Sequence, residues 1–155
     1  MTIRIVEAQS EQELARVREL FLEYAASLSF DLCFQEFDRE LAGLPGPYGA
    51  PEGRLLLALE GDRAVGCAAL RRLDNDVCEM KRLFVRPAFR GRGVGRGLAQ
   101  SAIDEARKIG YKRMKLDTVP SMQEAIALYR SSGFTDAAPY TYNPIPGAVF
   151  LELLF

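Results

Sequence analysis

A chain of 155 residues is long enough for one domain to bury most of its apolar surface. It is 48% hydrophobic and 26% charged, with 20 basic against 21 acidic side chains and a net charge of -1, a balance that excludes disorder and provides no global field to hold a polyanion. Histidine is absent, which excludes Ser-His and Cys-His nucleophile pairs and leaves acid and base work to carboxylates, Tyr, Lys or Cys.

Ile3 to Val6 alternates apolar with polar residues and predicts a strand. Ser10 and Glu13 then form an S-x-x-E capping box, and Leu14, Val17, Phe21, Tyr24, Ala25 and Leu28 recur at helical spacing. A second, shorter helix is predicted over Gln35 to Ala42, stopped by the Pro- and Gly-rich run from Leu44 to Gly53. Arg54 to Leu59 and Ala64 to Leu70 read as a hairpin about Gly61-Asp62, and Val77 to Val85 as the next strand. A helix from Gly95 to Ile109 ends at Gly110, Met114 to Thr118 returns as a strand, and a second box at Ser121 and Glu124 predicts a helix ending at Gly133. The tail from Ala148 to Phe155 is a last strand. The order predicts one α/β domain over residues 1–155, a single mixed, mostly antiparallel sheet with a central βαβ unit flanked by helices.

Cys33, Cys67 and Cys78 show no C-x-x-C spacing and read as buried filler in a reducing compartment, with no metal site. The first residues lack a signal peptide's apolar stretch, and no window nears the roughly 20 apolar residues of a membrane span. A cytoplasmic location without membrane contact is therefore expected.

The segment R-G-R-G-V-G-R at 90 to 96 lies between a strand and a helix N-terminus. Amide N–H groups without intrahelical partners and a positive dipole end favour an anion there. Gly91, Gly93 and Gly95 leave the backbone open to a phosphate, and Arg90, Arg92 and Arg96 add charge. A flexible turn with solvated arginines is the alternative. No G-K-[ST] follows, so this is not a Walker loop, and the G-x-G-x-G spacing does not suit a dinucleotide fold.

The run L-F-V-R-P-A-F-R-G-R-G-V-G at 83 to 95, with A-I-A-L-Y-R-S-S-G-F at 125 to 134, resembles the GNAT family of N-acetyltransferases. The matching positions are Arg90, Gly93 and Gly95, then Leu83 and Val85, then Tyr129, Gly133 and Phe134. The resemblance implies transfer of an acetyl group from acetyl-CoA to a primary amine by direct attack on the thioester, without a metal. It also implies that the strands at 79 to 85 and 114 to 118 splay apart around the pantetheine. Leu83, Phe84 and Val85 would meet the acetyl and pantetheine groups, while Arg90, Gly91, Arg92, Gly93, Val94, Gly95 and Arg96 would cradle the pyrophosphate. Many members carry an asparagine where this chain has Met122. The implied partners are acetyl-CoA and an unidentified amine, with a homodimer left open, and a non-catalytic acyl-CoA sensor is the rival reading.

Acyl transfer needs a neutral amine, stabilisation of the oxyanion and a proton for the departing thiolate. The Leu83 amide is the implied oxyanion donor. Tyr129, matched to a tyrosine that often sits beside the thioester sulfur, is the implied acid, against the alternative of a core aromatic. Glu79 and Lys81 are expected on the strand face of Leu83 by two-residue alternation, which makes Glu79 a candidate base; an ordinary pair between Glu79 and Lys81 is the alternative. Tyr140, Tyr142 and Asn143 precede the last strand as candidate acceptor contacts. Asp31, Glu36, Asp38 and Glu40 read as a solvated helix face, with attraction of a cationic amine as the alternative.

Overall fold

The computed structural model describes residues 2–28, 31–32 and 36–155. In chain order it runs β1 (Ile3–Glu7), α1 (Glu11–Ser27), α2 (Phe37–Ala42), β2 (Arg54–Glu60), β3 (Arg63–Asp74), β4 (Val77–Val85), α3 (Val94–Ile109), β5 (Arg113–Thr118), α4 (Gln123–Ser131), β6 (Thr135–Asp136) and β7 (Val149–Leu154). The strands form one sheet in the order β1-β2-β3-β4-β5-β7-β6. Its pairs are antiparallel except β4 with β5, which α3 connects as a βαβ unit. This is the mixed, mostly antiparallel α/β sheet that the element order predicts.

Local signals set most boundaries. The Glu13 N–H donates to Ser10 Oγ, and Glu13 Oε1 accepts from the Ser10 N–H, so the first capping box forms as predicted. Gly110, at φ 111°, closes α3 in the left-handed conformation that glycine adopts without a Cβ clash. The second box does not form. Met122 is the cap residue of α4, which puts Glu124 one position too early to reach back to it, and Ser121 stays outside the helix. Cys33 and the predicted helix start at Gln35 lie outside the described residues. Cys67 and Cys78 are free and buried as expected; burial raises both thiols, that of Cys78 to about 12, which keeps them neutral.

The sheet separates two apolar layers. Leu98, Ala102 and Ile103 of α3 pack with Met114, Leu116 and Tyr129 on one face. On the other, Val17, Leu20 and Phe21 of α1 pack with Leu57, Cys67 and Phe84. Strand β4 changes its relation to these layers partway along. Lys81 pairs with Ala69 but Phe84 pairs with Cys67, so three steps on β4 match two on β3, and Arg82 takes the left-handed φ of 62°.

One inserted residue reverses side-chain alternation. Cys78 and Met80 point to the α3 face before the bulge, and Leu83 and Val85 point there after it. Glu79 and Lys81 therefore face the α1 side with Phe84, and the expectation that they share a face with Leu83 is corrected.

A left-handed non-glycine residue costs about 1–2 kcal/mol, and local bonds offset it here. Arg82, 4% exposed, donates through Nε and a terminal nitrogen to both oxygens of Glu40 at 2.9 and 3.0 Å, and its guanidinium lies 5.3 Å from the Phe37 ring centroid. Glu40 is thus not the solvated residue that the acidic stretch suggests. Removing one partner of a buried ion pair leaves the other charge uncompensated, so Glu40→Ala is expected to lower unfolding free energy by about 3–5 kcal/mol. Urea denaturation checks this, and a loss below about 1 kcal/mol would mean that Arg82 finds other partners.

Candidate active site

The βαβ connection pairs β4 with β5 at three positions only, the last being Glu79 with Lys115. Beyond it the two strands part, and the bulge leaves Arg82 and Leu83 without register partners on β3 as well. The parting opens a groove of about 860 Å³. One wall is Leu83, Phe84 and Val85, the floor is the turn into α3, and Ser121, Ala125 and Leu128 form the facing side.

The turn has the geometry its glycines predict. Gly91 and Gly93 both have φ 80°, and a Cβ added at either would meet nothing within 4 Å, because each opens onto the groove. Gly93 caps α3, so the first free N–H groups of that helix belong to this floor. Gly95 is helical, and a Cβ added there would make ordinary contact with Leu128 and Val85, each at 3.6 Å. Arg90, Val94 and Arg96 line the groove; Arg90 is braced by a 2.9 Å bond from Nε to the Val85 carbonyl. Arg92 is not a groove residue. Its guanidinium stands over Phe89 and 3.6 Å from Glu60.

On the α1 side of the parted strands lies a second cavity, of about 40 Å³. Tyr24 and Met122 line both spaces, so the groove and the cavity meet at these two residues. Among the charged residues of the cavity, Asp117 accepts from Asn143 Nδ2 at 3.0 Å. Burial raises its carboxyl above the ordinary range, and the nearby charge of Glu79 adds to the effect.

Glu79 itself is 1% exposed and has both oxygens engaged. Arg71 Nε donates to one and the Tyr140 hydroxyl to the other, each at 2.7 Å. The pairing partner is thus Arg71 and not Lys81. Glu79 lines neither cavity.

The loop before β7 is pinned by two of its three predicted contacts. Tyr140 holds Glu79, Asn143 holds Asp117, and Asn143 Oδ1 accepts from the Ile145 N–H at 3.1 Å, which shapes the turn. Tyr142 is 70% exposed and faces solvent. Tyr129 lies in the core against Phe134, behind the groove residues Ala125 and Leu128. Burial raises its phenol, with added contributions from Tyr24 and Asp117, and Tyr129 lines neither space.

Three site residues escape a pattern-based reading. Tyr24 looks like one more member of an apolar helix stripe, and Arg82 like an alternating strand residue. Asp117 carried a usable signal, since aspartate is depleted inside strands and its presence there asks for a reason. Among the described residues, no group of three or more His, Cys, Asp or Glu is placed to hold a metal, and no helix is long and apolar enough to cross a membrane.

Residues 14–134 match the Acetyltransferase (GNAT) family. An uncharacterized N-acetyltransferase of Schizosaccharomyces pombe is 40% identical over 153 residues, covering 97% of this chain and 94% of its own. An acetyltransferase from Streptococcus agalactiae superposes with a TM-score of 0.80 at 24% identity, covering 99% of this chain and 98% of its own. The PaiA N-acetyltransferase of Thermoplasma acidophilum, solved in complex with coenzyme A, superposes with a TM-score of 0.77 at 16% identity over the full length of both chains. At these identities the solved structures establish the shared fold.

Proposed function

This chain belongs to the GNAT family of acetyltransferases and is an acetyl-CoA-dependent N-acyltransferase; we propose that the groove takes the coenzyme, the small cavity takes the amine, and transfer occurs where the two meet. The observation that carries this reading is that Tyr24 and Met122 line both spaces, beyond the point where β4 leaves β5. The groove floor suits a pyrophosphate. Two left-handed glycines leave it open, and a helix N-terminus with Arg90 and Arg96 supplies donors and positive charge.

Acetyl-CoA supplies an acetyl group activated as a thioester. The Leu83 amide, at a bulge without register partners on either neighbouring strand, is the donor we assign to the developing oxyanion. Asp117 takes the proton from the acceptor nitrogen, and Tyr129, kept protonated by burial, is the source of the proton for the thiolate. Glu79, the base expected from sequence, acts at one remove in this reading by raising Asp117 and holding Tyr140. We read residues 1–155 as one acetyltransferase unit whose named groups all lie in one chain, so a homodimer is not required for the chemistry. A cytoplasmic setting accords with two free, buried thiols.

Gly93→Glu is expected to weaken acetyl-CoA binding at least about a hundredfold by titration calorimetry, since it puts backbone strain and a negative charge where the pyrophosphate would sit; unchanged affinity would move the phosphate site elsewhere. As a base, Asp117 works only when ionised, so kcat/KM should fall as pH drops through a pKa above the usual carboxylate range. Asp117→Asn should lower kcat/KM roughly 10²–10⁴-fold and remove that acid limb; a variant with the parent profile would assign the proton to water. Tyr129→Phe should lower kcat with the acetyl-CoA dissociation constant unchanged. A loss confined to binding would make Tyr129 a positioning residue.

A further inference from the structure

Three charged side chains line the small cavity among the described residues: Lys81, Arg82 and Asp117. Two are satisfied within the protein, Arg82 by Glu40 and Asp117 by Asn143. Lys81 is half-buried and has no hydrogen bond or ion pair among the described residues. The carboxylate nearest to it in sequence, Glu79, is already taken by Arg71 and Tyr140. Burial lowers the pKa of Lys81, and although the charges of Glu79 and Asp117 oppose this, those of Arg82 and Arg71 add to it: the ammonium is stripped of water and has no anion in direct contact.

Lys81 and Asp117 each act on the ionisation of the other, yet they form no ion pair. The cavity between them holds only a few water molecules at about 40 Å³. Opposite charges have been kept apart by a small polar gap. A ligand carrying an ammonium and a carboxylate on the same carbon fills that gap and satisfies both ends. A plain alkyl amine or the N-terminus of a peptide satisfies Asp117 and leaves Lys81 without an anion.

Resting on the assignment of this cavity to the amine, we propose that the acceptor is a free α-amino acid, whose ammonium is held by Asp117 and whose carboxylate is held by Lys81. The C–N bond forms as the thioester C–S bond breaks. Of the two protons the nitrogen gives up, one goes through Asp117 to solvent and the other replaces the proton that Tyr129 gives to the departing thiolate, so no oxidant or reductant is needed. Lys81 binds the substrate and stays charged throughout.

The test is a thiol-release assay with acetyl-CoA and a panel of the common amino acids, each presented as the free acid and as its carboxamide. For the preferred side chain, the free acid should exceed its carboxamide in kcat/KM by roughly ten- to a hundredfold, the range of one charge-assisted hydrogen bond. In Lys81→Gln that ratio should fall towards one, and Lys81→Arg should restore part of it. The parent panel decides by itself if a variant fails to fold. Carboxamides turned over as well as the acids, or a ratio that survives Lys81→Gln, would overturn the amino-acid assignment and leave the cavity as the acceptor site. No turnover of any member, with acetyl-CoA binding intact by calorimetry, would overturn the acceptor-site reading and this inference with it.

Discussion

One arginine in a left-handed conformation determines how the middle of this sheet is built. Arg82 inserts an extra residue into β4, and its buried contacts with Glu40 and Phe37 hold it there. The bulge has two consequences. It exchanges the faces of every later side chain on β4, and it leaves Leu83 without a register partner on either neighbouring strand. A regular strand would have buried its amide donor in the β3 ladder. Strain of this kind persists where the surroundings over-determine it, and here a bidentate ion pair, a ring and a packed helix all act on one side chain.

The exchange of faces divides the chemistry between two layers. The α3 side carries an open loop, a helix N-terminus and apolar walls, which suit a long ligand with a charged end. The α1 side carries Lys81, Arg82, Asp117 and, behind them, the Arg71-Glu79-Tyr140 group. The two meet only where β4 and β5 have separated. A thioester reaching the junction from one side and an amine from the other would approach each other through the sheet, with ordered backbone around them and little room for water.

The buried charges of the acceptor side are interdependent. Glu79 raises the carboxyl of Asp117, and itself accepts from the Arg71 guanidinium and the Tyr140 hydroxyl. Asn143 bonds Asp117 and shapes its own loop. Tyr140 and Asn143 therefore fix the loop before β7 against the sheet, while Tyr142 between them is exposed.

The sequence by itself determined the elements, their order and the anion-binding turn, because these depend on short-range rules. A capping box closes over four residues, the apolar stripe of α1 repeats along one helix, and glycines are needed at 91 and 93 wherever the backbone turns left-handed. Tertiary structure alone decided which residues share the acceptor cavity. Two-residue alternation puts Glu79 beside Leu83 only in an unbroken strand, and the bulge at Arg82 depends on Glu40, 42 residues earlier. Asp117 and Lys81 lie on different strands, Asn143 on a distant loop, and Tyr24 on the first helix. Their meeting follows from strand register and from where β4 and β5 separate, and neither quantity is written in any local pattern.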